Sequence, residues 1–247
     1  MTVDRWAQAV RQQLGIGRLL PLGGPGDGAW IAEPAAQGVL RRAAVEVRGV
    51  RLGSVRLSPA DPDGTYEAAV PAPPSALPPG PLRIVAQCAA TSDEPLPLAA
   101  GRLREALSQA AKGRLGLLVT EVDLQVTALL DADPETEAAP AEPEAAAKPT
   151  SLSGDEGRVA QAALDVPGVL RLTGVLVGGM GRAVHIEEQA GAASLPRRHV
   201  RVELAVSAGA RALDVARAVR QAVSAALPDA PTVAALVTHI APAERQE

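Results

Sequence analysis

The chain says much the same thing twice. Ala43-Ala44-Val45-Glu46-Val47-Arg48-Gly49-Val50 returns as Ala162-Ala163-Leu164-Asp165-Val166-Pro167-Gly168-Val169. Leu103-Arg104-Glu105-Ala106-Leu107-Ser108 returns as Val219-Arg220-Gln221-Ala222-Val223-Ser224. Between them lie two matched alternating patterns, Leu82/Ile84/Ala86/Cys88 and Val200/Val202/Leu204/Val206. An internal repeat constrains architecture before any motif is read. It implies two copies of one small module rather than one large enzyme core. Each copy also checks the other, because a functional residue present in only one is suspect.

Two modules of roughly 90–100 residues each are of ordinary domain size. The expected fold class is α+β: two tandem small modules, each helix–β-hairpin–strand–helix–strand, with the helices on one face of a small mixed sheet. Residues 1–27 read as an N-terminal amphipathic helix, striped by Val3, Trp6, Val10 and Leu14, and a Gly/Pro loop. Residues 28–131 form the first module. Its helix starts at Pro34 and ends before Gly49, and Asp61-Pro62-Asp63-Gly64 turns a hairpin whose return arm is Tyr66–Val70. Strand Leu82–Cys88, helix Leu98–Lys112 and a closing strand through Val119, Val122, Leu124 and Val126 follow.

Residues 132–153 are rich in Ala, Pro and Glu and cannot bury enough apolar area to offset ordering entropy. They read as a disordered acidic linker between modules that barely touch. Residues 131–150 hold six acids and one base, so the net charge of -4 resides there and the rest is near neutral. The second module, 154–243, opens with a helix to Asp165, with Ser153 and Glu156 at capping-box spacing. A hairpin with Gly178-Gly179-Met180-Gly181 at its tip, strand His199–Val206, helix Ala212–Leu227 and strand Val233–Ile240 complete it.

The second copy resembles the alkaline shock protein family of bacterial envelope-stress proteins. The likeness rests on three segments. A helix runs into Val166-Pro167-Gly168-Val169, strand Val200–Val206 ends near Gly209, and a helix of spaced valines, Val215 to Val223, precedes the last strand. The likeness covers about 155–242 well and 31–130 more weakly, where Arg48 precedes Gly49 and a proline-rich insert intervenes. The resemblance implies a non-enzymatic, stress-associated scaffold or adaptor. Such a protein self-associates, binds protein partners and is linked to the envelope through a membrane-anchored partner. Apolar stretches too short to span a membrane and an N-terminus without a signal-peptide core give the expectation of a cytoplasmic place, and the resemblance adds a peripheral position at the inner face of the cell membrane. The second module is expected to carry the association surface, with the insert Pro71–Pro81 blocking an edge of the first.

Reactive constellations are scarce. His185, His199 and His239 fall on different expected strands, without acids at ligand spacing and without counterparts in the other copy. No catalytic, cofactor-binding or metal residues are assigned, and no small-molecule substrate is expected. The single cysteine, Cys88, reads as a buried small hydrophobe. Arg41 and Arg42 in one copy, and Arg197, Arg198 and Arg201 in the other, are the candidate phosphate or partner contacts. They supply the alternative reading, a nucleic-acid-binding module, although no aromatics interleave them for base stacking. Depletion of Phe, Asn and Lys points to a high-GC bacterial genome.

Overall fold

The computed structural model describes residues 17–131, 154–174, 182–189 and 197–241. Strands β1 (Leu19–Leu22) and β2 (Ala29–Ala32) flank a short 3-10 turn and form an antiparallel hairpin. Pro34 suits the first turn of α1 (Glu33–Val45), which buries Ala36, Val39, Leu40 and Ala43 at helical spacing. Strands β3 (Val50–Pro59) and β4 (Leu82–Thr91) pair antiparallel. Helix α2 (Leu96–Gln109) buries Ala99, Leu103 and Leu107 and widens into a π-helical turn over Ala110–Leu115. Strand β5 (Val119–Leu130) then pairs with β4 in parallel.

In the second half, α3 (Gly154–Leu164) is followed by β6 (Val169–Leu172), β7 (Val184–Gln189) and β8 (Arg197–Ser207). Helix α4 (Ala212–Ala226) leads to β9 (Thr232–Ala241), parallel to β8. The α+β class follows directly. Helix, strands, helix and strand occur in the same order in both halves.

Corresponding positions make corresponding bonds. Gly49 and Gly168 each follow a helix at positive φ, 71° and 95°. Their carbonyls accept from Thr91 N–H and Ser207 N–H, both at 2.8 Å. The β4–β5 register skips Thr127, and the β8–β9 register skips Thr238. Each skipped threonine donates its hydroxyl to the neighbouring strand, to Cys88 O or Leu204 O, at 3.3 Å. Arg104 Nε donates to Val122 O, and Arg220 Nε to Val233 O. A β-bulge re-aims a strand, and here the same residue type bulges at the same place twice.

Three expectations are corrected. Tyr66–Val70 forms no strand; β3 instead pairs with β4 across a long connection. Strands β6 and β7 both pair with β8, along successive stretches of one edge. Finally, the halves are joined by their backbones. Strand β2 pairs in parallel with β9, matching Ala29, Trp30 and Ile31 to Ala235, Leu236 and Val237. A boundary at residue 28 would cut through the β1–β2 hairpin, which belongs to a six-stranded sheet ordered β1-β2-β9-β8-β6, with β7 also on β8. The other sheet is β3-β4-β5. The N-terminal helix, the linker 132–153, the Ser153 cap and the glycine hairpin tip lie outside the described residues.

The core is accordingly one contiguous cluster drawn from both halves, and Trp30, on the joining strand, is its largest fully buried side chain. A ring of that size contributes a few kcal/mol by burial, on the order of 2–3. Polar contacts close the same seam. Gly23 N–H donates to Gly116 O at 3.0 Å, and Arg211 Nε to Lys112 O at 3.1 Å. Gly116 has φ 88°, and a side chain there would overlap Leu213 of α4.

Asp27 is the ionic pin of this seam. Its carboxylate accepts from Arg217 Nε at 2.6 Å and from Gly24 N–H at 2.7 Å. Burial alone would raise its pKa. The Arg217 and Gly24 hydrogen bonds, with the Arg217 and Arg220 charges, outweigh that and hold it below the usual range. Stability from this group is therefore present above the unfolded carboxyl value near ~4 and lost as pH falls through the lower folded value. Asp27→Asn is expected to lose about 1–2 kcal/mol at pH 7. The gap from the parent should vanish in strong acid, as read by urea unfolding at both pH values.

Candidate interaction surfaces

The arginines singled out by sequence do not form one surface. Arg41 and Arg42 lie on α1, half-buried, and Arg41 Nε is buried with no hydrogen-bond partner among the described residues. Arg197, Arg198 and Arg201 lie on β8. Arg198 is held from two sides, by Asp229 through Nε at 2.7 Å and by Asp155 through Nη1 at 2.5 Å. Arg201 donates to Glu187 Oε1 at 2.8 Å. Two of the five cations thus spend their charge within the fold. Hydrogen bonds from Arg198 hold both Asp155 and Asp229 below the ordinary carboxylate range.

The histidines separate as well. His199 is buried on β8 with Nδ1 2.9 Å from Thr232 Oγ1, and its Nε2 is buried without a partner among the described residues. His185 lies opposite Arg201 in the β7–β8 ladder. Burial, and next for His199 the Arg201 charge, push both imidazoles below the ordinary histidine value. Cys88 is buried under the first sheet, and burial raises its thiol pKa, the opposite of what a reactive thiolate needs. No group of three or more His, Cys, Asp or Glu among the described residues is placed to hold a metal ion. None of the described helices is long and apolar enough to cross a membrane.

Among the clefts beside the described helices are two shallow ones. One, of about 590 Å³, is lined by Asp27, Arg217, Arg220, Gln221 and Ser224 at the seam between halves. Its cations are already committed: Arg217 to the Asp27 carboxylate, Arg220 to the carbonyls of Val233 and Asp27. The other, of about 550 Å³, lies at the end of α1 between Glu46, Arg48, Thr91 and Arg102. Arg102 there pairs with Glu94.

The sheet edges differ far more than the clefts do. The outer edge of β1 is closed by the proline-rich excursion, with Leu19 N–H donating to Ser75 O at 3.1 Å and Leu77 N–H to Leu19 O at 2.8 Å. The insert does block an edge, but the edge of the sheet that spans both halves. The outer side of β3 is engaged by side chains at Val55 and Leu57. Gln37 donates to Val55 O, Arg18 to Leu57 O, and Glu33 accepts from Leu57 N–H. The β8 edge carries only the short β6 and β7, of four and six residues. Strand β9 is covered by β2 at Ala235–Val237.

Strand β5 is the exception. Among the described residues it pairs with β4 alone. Most of it is exposed, including Val126 at 37% and Leu129 at 63%, while the corresponding Val237 and Ile240 of β9 are buried. Leu98, at the start of α2, is also largely exposed. Sequence reasoning missed this edge because β5 and β9 carry similar alternating patterns. Only the presence of β2 beside one of them tells them apart.

Comparison with protein-family models and with curated proteins finds no match to either.

The depressed histidines have a measurable consequence. A histidine whose folded pKa lies below its unfolded value near ~6.5 favours the neutral folded form, so stability falls as pH drops through that value. Thermal unfolding between pH 7 and pH 5 is expected to show this loss. His199→Gln should flatten it relative to the parent.

Proposed function

We propose that the chain is a non-enzymatic scaffold or adaptor of the alkaline-shock type, serving envelope stress. In this reading it self-associates, sits in the cytoplasm at the inner face of the cell membrane, and is brought there by a membrane-anchored protein partner. The single observation that carries the reading is the contrast between edges. Among the described residues, one long strand with apolar side chains beside it is left open, while the other edges are engaged in part or carry short strands. Open, long, partly apolar edges are templates for pairing with another chain. The resemblance at Val166-Pro167-Gly168-Val169 and Val215–Val223 supplies the type of scaffold.

The rival, nucleic-acid binding through Arg41, Arg42, Arg197, Arg198 and Arg201, is weakened by the internal pairing of Arg198 and Arg201. Salt separates the two readings. Phosphate-driven binding falls steeply with salt, whereas edge pairing does not. Sedimentation of the full chain is expected to show self-association that persists from low to high salt. Fluorescence anisotropy with a labelled duplex and a labelled single strand is expected to show no tight binding at physiological salt. Tight, salt-sensitive binding to either probe, with a monomer throughout, would replace the scaffold reading with its rival.

A further inference from the structure

We propose that β5 pairs antiparallel with β5 of a second copy of this chain, about a two-fold axis near Gln125, making a closed dimer. The inference rests on the self-association reading and adds its place, partner and geometry.

The internal repeat shows what this edge accepts. Cys88–Val126 of the first sheet corresponds to Leu204–Val237 of the second, since each is the last pair before the bulge. Strand β2 occupies β9 at Ala235, Leu236 and Val237, which correspond to Leu124, Gln125 and Val126. The fold therefore takes an extra strand at this stretch, centred one residue before Val126.

The remaining edges decide what the extra strand is. A head-to-tail assembly needs a second open edge on the same molecule. The β1 edge is taken by Ser75 and Leu77, and the β3 edge by Arg18, Glu33 and Gln37. The β8 edge is split between two short strands. The β5 edge of another copy is the long described edge left.

Charge then selects direction. The acids of β5, Glu121 and Asp123, both lie in its first half, and residues 124–130 carry none. Parallel, in-register pairing would set each acid against itself, and like charges directly opposite destabilise a ladder. Antiparallel pairing centred on Gln125 sets Glu121 against Leu129 and Asp123 against Thr127. Arg83 already neutralises the acids, at 2.6 Å from Glu121 and 3.4 Å from Asp123. The same arrangement brings Val126 against Leu124 and draws exposed Leu129 and Leu98 toward the partner. Because the contact is isologous it ends at two copies.

The test uses the full chain. Light scattering over a concentration series is expected to show a monomer–dimer equilibrium for the parent. The double variant Val126→Glu, Leu129→Glu should weaken it by roughly tenfold or more, since it sets one new acid against Glu121 of the partner and buries the other against Leu124. An unchanged thermal midpoint would show that the variant still folds. Independently, Gln125→Cys in a Cys88→Ala background should form an intermolecular disulfide under mild oxidation, and Ser54→Cys on the far strand of the sheet should not. A dimer that ignores the double substitution and does not crosslink at position 125 overturns the β5 proposal while self-association stands. A chain that stays monomeric at every concentration overturns both.

Discussion

Three residue pairs hold the molecule's plan together. The parallel contact of Ala29, Trp30 and Ile31 with Ala235, Leu236 and Val237 turns two similar small sheets into unequal ones. Without it the second half would end on an open β9, Trp30 would lose its buried place, and Asp27 would have no reason to sit beside Arg217. The contact is also selective. A chain has only one N-terminal hairpin, so only one of its two equivalent edges can be closed this way. The asymmetry between β9 and β5 thus follows from one hairpin meeting two similar edges.

That asymmetry bears on chemistry. The polar groups that look reactive in isolation mostly answer one another. Arg198 binds two acids, Arg217 and Arg220 bind the Asp27 segment, and Arg83 bridges two strand acids. Beyond isolated buried atoms such as Arg41 Nε and His199 Nε2, backbone and apolar surface along β5 is also left unanswered among the described elements. A long strand edge with apolar side chains beside it is a template for another strand.

Much of the fold was legible because periodicity is local. Leu82/Ile84/Ala86/Cys88, Leu103/Leu107 and Val219/Val223 each placed an element correctly, and all eight side chains are buried. The repeat also located Gly49 and Gly168 at matching turns. Two features were not legible. Leu19-Leu20-Pro21-Leu22 reads as a poor strand because proline lacks a ladder donor, yet proline is tolerated on an outer strand such as this. Tyr66–Val70 had the composition of a return arm but lies beside a run of prolines, and β4 competed successfully for β3. The candidate surface was hidden for a deeper reason. Exposure of β5 is decided by where β2 goes, and β2 lies some two hundred residues from the strand it chooses.

That separation has a consequence for how the protein is made. Strand β2 leaves the ribosome about two hundred residues before β9. Until β9 emerges, the hairpin β1–β2 has its outer side engaged by Ser75 and Leu77 but its inner side bare. Contacts between distant parts of a chain form late, and exposed edges in partly made chains invite aggregation. Synthesis of this protein therefore passes through an interval in which the edge of β2 that β9 covers is unpaired. A chain cut short before residue 235 lacks the strand that β2, and with it Trp30, packs beside.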